Sequence, residues 1–304
     1  MKLFFLPLAF ILLSYSLSAQ DIASAKVTKS SEQNYTKELR VLSWNIQMLP
    51  RLLFPVRRGP MKRARLIPEK IINDSIDIVV FQECFDVRSR RILKRNLKET
   101  YPYKAGPANK ILPLFFTNSG IVIYSKYLIT DKYRFPYKWK EKESHDKFAR
   151  KGCLMVEVEL PDGSNMQVLG THLQAGGPDA IRHSQYKQLK NFIDKHRKEN
   201  VPQLICGDFN TKKHDHINYK TMVSIIDAED GEISGELCCT SDGYLNDMKD
   251  YNPDDRKVID YIFYRANGVN PQPLKREVRQ YTHRWSEKHK DLSDHNAVLG
   301  ILKY

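Results

Sequence analysis

The chain has 304 residues, 41% of them hydrophobic and 28% charged, which is enough for one large core, and neither a repeat period nor a linker-like stretch divides it. Lys and Arg number 49 against 36 Asp and Glu, a formal net charge of +13 that suits a nucleic acid, an anionic membrane surface or a phosphate-bearing substrate without choosing among them. No stretch after the first residues is long and apolar enough to cross a bilayer as a helix, so no second transmembrane helix is expected.

Residues 1–19 read as a signal peptide. Lys2 gives a positive start, Leu3 to Leu13 is almost wholly apolar, and Leu17-Ser18-Ala19 supplies small residues before Gln20. The lack of a cysteine at that point argues against a lipoprotein anchor, so the expected location is secreted or periplasmic. Residues 20–38 are polar and read as a flexible leader, leaving 39–304 as the folded domain.

Along that domain short β-like runs end in polar groups. Arg40–Trp44 ends at Asn45, Asp77–Phe81 at Gln82-Glu83, Met166–Thr171 at His172, and Gln203–Gly207 at Asp208-Phe209-Asn210. Asp260 opens the run to Tyr264, and Asp294-His295 precedes Ala297–Leu302. Ser119–Tyr124 and Cys153–Leu160 read as structural strands, with Pro161-Asp162-Gly163 a turn after the second. Helices fit over Arg182–Lys198, whose stripe is Gln185, Leu189, Phe192, Ile193 and His196, over the stretch marked by Ile67, Ile71 and Ile72, and over Arg91–Leu97. Strands alternating with helices and mixed with hairpins predict an α/β sandwich of two face-to-face sheets with helices outside, the polar groups collecting at one rim.

Those residue types suit phosphodiester hydrolysis. Asn45, Glu83, Asp208 and Asp294 offer hard oxygens for Mg²⁺, Mn²⁺ or Ca²⁺. His295 is a candidate base with Asp260 to fix its tautomer, His172 a candidate to assist the leaving oxygen, and Asn210 a donor to charge developing on phosphorus. The five cysteines lack metal-ligand spacing, which argues against zinc. Cys206 reads as a buried thiol and Cys238-Cys239 as the place for a disulfide.

Ser43-Trp44-Asn45, Phe81-Gln82-Glu83, Ser119-Gly120-Ile121, Gly170-Thr171-His172-Leu173, Gly207-Asp208-Phe209-Asn210, Ile259-Asp260-Tyr261-Ile262 and Leu292-Ser293-Asp294-His295 occur in the order used by the endonuclease/exonuclease/phosphatase superfamily, which the chain resembles from about residue 40 onward. The resemblance implies a four-layer αββα sandwich and one or two divalent ions. It implies Glu83 as principal metal ligand with Asn45 near it, and Asp208 and Asn210 orienting water or phosphate at a second metal. Asp294 is then a further ligand, His295 the general base oriented by Asp260, and His172 the leaving-group assistant.

Within the superfamily the local context is most similar to the bacterial neutral sphingomyelinases. Gln82-Glu83-Cys84-Phe85-Asp86, the Lys151-Gly152 element, Thr171–Ala175 and Arg182-x-x-Gln185 carry that similarity. It implies hydrolysis of sphingomyelin to ceramide and phosphocholine by a monomer touching the membrane peripherally, with no protein partner. Lys151, Arg182, Tyr137 and Trp139 are the candidate substrate contacts, the aromatics able to hold a quaternary ammonium by cation–π attraction. A nuclease on the same fold, binding nucleic acid through its basic charge, is the alternative, and a non-enzymatic surface-binding protein the third reading. One departure is Leu274–Asp291, where haemolytic relatives carry an exposed aromatic hairpin. Here it is dominated by charge, with Trp285 its only tryptophan.

Overall fold

The computed structural model describes residues 37–49, 58–109, 118–138, 150–231, 233–269 and 274–304. The expected signal peptide, the leader up to residue 36 and Trp139 lie outside the described residues.

In chain order the elements are β1 (Glu38–Met48), α1 (Pro60–Asn73), β2 (Ile78–Cys84), α2 (Val87–Leu97), β3 (Tyr103–Ala105), β4 (Val122–Ser125), β5 (Ile129–Pro136), β6 (Gly152–Glu159), β7 (Asn165–His172), α3 (Asp179–Lys195), β8 (Gln203–Asp208), α4 (His216–Ile226), β9 (Ile233–Ser234), β10 (Ser241–Asp242), β11 (Arg256–Lys257), β12 (Asp260–Arg265), β13 (Lys275–Arg279) and β14 (Ala297–Lys303). One sheet runs β3-β4-β2-β1-β14-β13-β9, the other β12-β8-β7-β6-β5, and β10-β11 form a separate ribbon.

Alternation along the strands builds the four layers. In β1, Leu39 and Val41 face the second sheet and pack with Leu154, Val156, Val168, Leu204 and Ile262. Leu42 and Trp44 face outward onto Ala64, Ile67 and Ile71 of α1 and Leu93 and Leu97 of α2. The second sheet does the same, with Met155, Leu169 and Ile205 packed outward with Tyr186, Leu189 and Ile193 of α3 and Met222 of α4. Gly170 sets how closely the sheets approach, because a Cβ there would lie 2.6 Å from Val80 Cγ1. This is the expected αββα sandwich.

Helix starts follow from caps. Asp86 accepts from the Ser89 N–H at the head of α2, and Asp215 from the Asn218 N–H at the head of α4. All three expected helices start earlier than the sequence reading placed them, the second at Val87 rather than Arg91, and a fourth was not expected. The first helix begins at Pro60, where proline suits the first turn, and continues through Pro68. The third begins at Asp179 and ends at Lys195, so His196 lies just past it, stacked on Tyr133 with ring centroids 4.1 Å apart. The fourth buries only Met222 and Ile226, too few apolar positions to announce a period. Cys84, Cys153 and Cys206 are buried free thiols, and Cys238 is disulfide-bonded to Cys239. Among the described residues no helix is long and apolar enough to cross a membrane.

Candidate active site

The parallel pairs β1–β2 and β7–β8 end at the same rim, so Asn45, Glu83, His172 and Asp208 arrive together from both sheets. Strand β12 runs antiparallel to β8 and pairs Asp260 with Asp208, and β14 runs antiparallel to β1, bringing Asp294 and His295 back to that rim. Gln47, Glu83 and Asn210 take left-handed backbone conformations, with φ of 44°, 52° and 51°. Such conformations are costly for non-glycine residues and concentrate where a site dictates geometry.

Asn45 is the hinge between the sheets. Its Nδ2 donates to Glu83 Oε1 and to Asp208 Oδ2, each at 3.1 Å, while its Oδ1 accepts the Gln47 N–H. It therefore bridges the two carboxylates through its amide nitrogen. Gln47, which the sequence reading did not single out, donates through Nε2 to Asp294. Arg58 approaches the same carboxylate at 3.7 Å.

His295 Nδ1 lies 2.9 Å from Asp260 Oδ2, which leaves Nε2 as the ring atom available to a reactant. The Asp260 N–H and that of Ile259 both donate to Thr240 Oγ1, and Trp44 Nε1 donates to the His295 carbonyl at 2.9 Å. Burial alone lowers the His295 pKa, but Asp260, Asp208 and Asp294 outweigh it and bring the imidazole up to about 10.

His172 differs. Burial, then the charges of Lys151 and His295, hold it well below the ordinary histidine range, so the ring is neutral. Lys151 Nζ lies 3.0 Å from His172 Nε2 and donates to the Leu173 carbonyl at 2.5 Å. Nε2 is thus the acceptor, Nδ1 carries the proton, and Nδ1 is buried without a hydrogen-bond partner. Asp208 Oδ2 lies 3.5 Å from that same Nε2. Asn210 Nδ2 donates to the Leu173 carbonyl at 3.1 Å, and its N–H to Asp208 Oδ1.

Of the expected substrate contacts, Lys151 is at the site but buried behind His172. Arg182 pairs with Asp179 and reaches the Gln174 and Ala175 carbonyls, bracing the loop after His172. Tyr137 packs with Phe135 in the outer layer, its hydroxyl 2.7 Å from Thr171 Oγ1. Tyr137 and Arg182 therefore stand behind the rim.

Arg63 had no signal in the sequence. From α1 its buried guanidinium donates to the carbonyls of Arg58, Ile46, Gln47 and Leu292 at 2.6–2.9 Å, tying the end of β1 to the segment before Asp294. Burial pulls its pKa down to about 10. Ser293 Oγ donates to the Asn45 carbonyl at 2.6 Å across the same junction.

The donor set fits a hard divalent cation. Burial, then the charge of Asp294, raises the Glu83 carboxyl, and burial, then Asp260, brings Asp208 up to about 7. Asp208, Asp260 and His295 place ligand atoms within 4.8 Å of one another, and Asp260 Oδ1 and Gln47 Oε1 are buried oxygens without hydrogen-bond partners. Carboxylates crowded against their own repulsion, with orphaned oxygens among them, are what a bound cation would relieve.

The sequence model of the Endonuclease/Exonuclease/phosphatase family matches residues 42–295. The chain is 28% identical over 307 aligned residues to a phospholipase C of Staphylococcus aureus, covering 90% of each. It is 28% identical to sphingomyelinase C 2 of Leptospira interrogans, over 87% of this chain and 46% of that one. A mutant of beta toxin from Staphylococcus aureus solved with bound magnesium ions superposes with a TM-score of 0.77 at 27% identity, over 87% of this chain and 99% of that one. With its fold, its rim of acidic and histidine side chains and a match spanning most of its length, the chain belongs to the endonuclease/exonuclease/phosphatase family.

Proposed function

We propose that the protein is a secreted, magnesium-dependent sphingomyelin phosphodiesterase that releases ceramide and phosphocholine, acting as a monomer that touches its membrane peripherally. The observation that carries this reading is the convergence of Asn45, Glu83, His172, Asp208, Asp260 and His295 at one rim in a chain similar over nine-tenths of its length to a phospholipase C. The lipid is taken from the relatives named sphingomyelinase. Secretion rests on residues 1–19.

In this reading water attacks phosphorus and the P–O bond to ceramide breaks. A cation on the neighbouring carboxylates would offset the charges of Asp208 and Asp294 that hold the His295 imidazole protonated, freeing Nε2 to accept the water proton while Asp260 steadies the imidazolium through Nδ1. Glu83 and Asp294 would hold magnesium with Asp208, and the ion supplies charge neutralisation on the phosphoryl group and acidifies water. Asn45 keeps Glu83 and Asp208 apart at fixed separation. His172 would assist the leaving oxygen, whose proton would come from Lys151 Nζ by way of His172 Nε2, 3.0 Å away, with Lys151 reprotonated from solvent. Asn210, beside Asp208, donates to charge on the phosphoryl oxygens.

Purified mature protein offered sphingomyelin vesicles, phosphatidylcholine vesicles and plasmid DNA, with magnesium and with chelator, tests the reading. Chelator-sensitive phosphocholine release from sphingomyelin is expected. Cut DNA with untouched lipid would instead make it a nuclease on the same catalytic set.

A further inference from the structure

The described residues expose six large hydrophobic side chains, and three of them, Tyr244, Leu245 and Tyr251, fall in the loop between β10 and β11. A fourth, Ile217, sits in the first turn of α4. Scattered apolar residues on a surface need no explanation, but a cluster of them on one loop does.

The loop is built to keep them out. Asn246, next to Leu245, is buried and donates to the Ser293 carbonyl at 2.8 Å, and Met248 is buried in the same core cluster as Trp44 and Trp285. Across the loop the Asn252 N–H donates to the Gly243 carbonyl and the Gly243 N–H to the Asp255 carbonyl, at 2.9 and 2.8 Å. A Cβ at Gly243 would lie 2.7 Å from the Asn252 oxygen, so the close approach needs glycine. Tyr251 is 74% exposed, its ring centroid 6.1 Å from that of Tyr244, with the Arg256 guanidinium 5.5 Å from the Tyr244 centroid. These side chains are presented by a rigid ribbon that joins the segment carrying Asp294 on one side and leads into Asp260 on the other.

Charge selects the occupant. Residues 241–257 hold five aspartates against three basic residues, a local excess of acid in a chain of net charge +13. Asp242 is buried on Arg256, Asp255 pairs with Lys249 and Lys257, and Asp247 lies against His289, which leaves Asp250 and Asp254, on either side of Tyr251, exposed and outside any ion pair among the described residues; these carboxylates and the open Tyr251 ring draw the outward trimethylammonium of a choline headgroup. Tyrosine and leucine also suit the boundary between headgroups and acyl chains.

We infer that the Tyr244–Tyr251 loop is an interfacial docking surface for a bilayer presenting zwitterionic choline headgroups. It rests on the phospholipase reading for its purpose, since it would hold the catalytic rim against the lipid. The test keeps the two apart by measuring binding in chelator, where no turnover occurs. Full-length protein is mixed with phosphatidylcholine–sphingomyelin vesicles and with phosphatidylglycerol vesicles and sedimented. Tyr244→Ser/Leu245→Ser/Tyr251→Ser should lower partition onto the choline vesicles about tenfold or more. Its hydrolysis of soluble nitrophenyl phosphocholine in magnesium and its melting temperature should match the parent. Tyr244→Phe/Tyr251→Phe, which keeps the rings, should bind within about twofold of the parent. In a third variant, Tyr251→Trp, tryptophan emission should shift to the blue on adding choline vesicles. Unchanged partition of the triple variant, equal loss from the phenylalanine variant, no emission shift, or a loop effect confined to phosphatidylglycerol or DNA would each overturn the inference. A parent chain that hydrolyses neither substrate yet binds choline vesicles through this loop would leave the inference standing and remove the enzymatic reading.

Discussion

Lys151 Nζ stands 3.0 Å from His172 Nε2, a buried cation donating to a neutral imidazole. That contact explains why a lysine immediately before β6 belongs to the site although it cannot reach a headgroup. Lys151→Met should lower turnover of sphingomyelin about 100-fold or more. The loss should be much smaller on a nitrophenyl ester, whose leaving group needs no proton. Equal losses on both substrates would show that Lys151 only supports the fold.

The second prediction concerns Asp260 and His295. Asp260→Asn keeps the shape but removes the charge that fixes the His295 tautomer and stabilises its protonated form, so kcat should fall about 10³-fold with KM little changed. Steady-state kinetics on vesicles decide it, and a variant within tenfold of the parent would remove His295 as the base.

Metal-free stability should fall as pH rises. Asp208 has a folded pKa of about 7 against an ordinary 3.8, and His295 one of about 10 against 6.5. Both are raised, so the folded chain holds more protons than the unfolded one. The Asp208 contribution is lost as pH climbs from about 4 through 7, and that of His295 from about 6.5 through 10. Below about pH 6.5 the depressed His172 opposes this trend, so in chelator the melting temperature should drop above that pH, where His172 is neutral folded or unfolded. Magnesium should raise it most at the alkaline end, where the carboxylates are charged. A melting temperature in chelator that rises between about pH 7 and 9 would contradict the crowding of these groups.

Arg63 supports a stability prediction. Replacing it by Met leaves four carbonyls without their donor, three of them at the junction of β1 with the Leu292 segment. The expected cost is at least about 3 kcal/mol in denaturant unfolding, with weakened magnesium binding because Gln47 and Asp294 are no longer held in register. A loss under about 1 kcal/mol would mean that water replaces the guanidinium freely.

Asn45→Ala removes the donor shared by Glu83 and Asp208. Magnesium affinity, followed by calorimetry, should fall about tenfold, as for other groups that orient metal ligands. Unchanged affinity with lost turnover would instead assign Asn45 to the substrate.

Strand ends were legible because alternation and polar punctuation are local. Asn45, Glu83, His172, Asp208 and Asp294 each follow or precede a run whose period already states its direction, and the two-sheet sandwich follows from those runs. The helix at His216–Ile226 was not legible, because two buried residues make no period. Trp285 is buried, its Nε1 donating to the Asp291 carbonyl and its ring stacked on His289, so the segment before Asp294 presents no tryptophan to a membrane. Burial depends on what packs above a side chain, and composition alone does not say that.

The sequence by itself determined the residue types at the rim, their order along the chain and hence the family and the chemistry on offer. Tertiary structure alone decided their partners. It joined Asn45 to the Glu83 and Asp208 carboxylates, put Lys151 behind His172, set Tyr137 and Arg182 back from the rim, and recruited Gln47 and Arg63. The physical reason is that a hydrogen bond or a pKa depends on distances of a few ångströms between residues as far apart as Asn45 and Asp208, which no local period encodes.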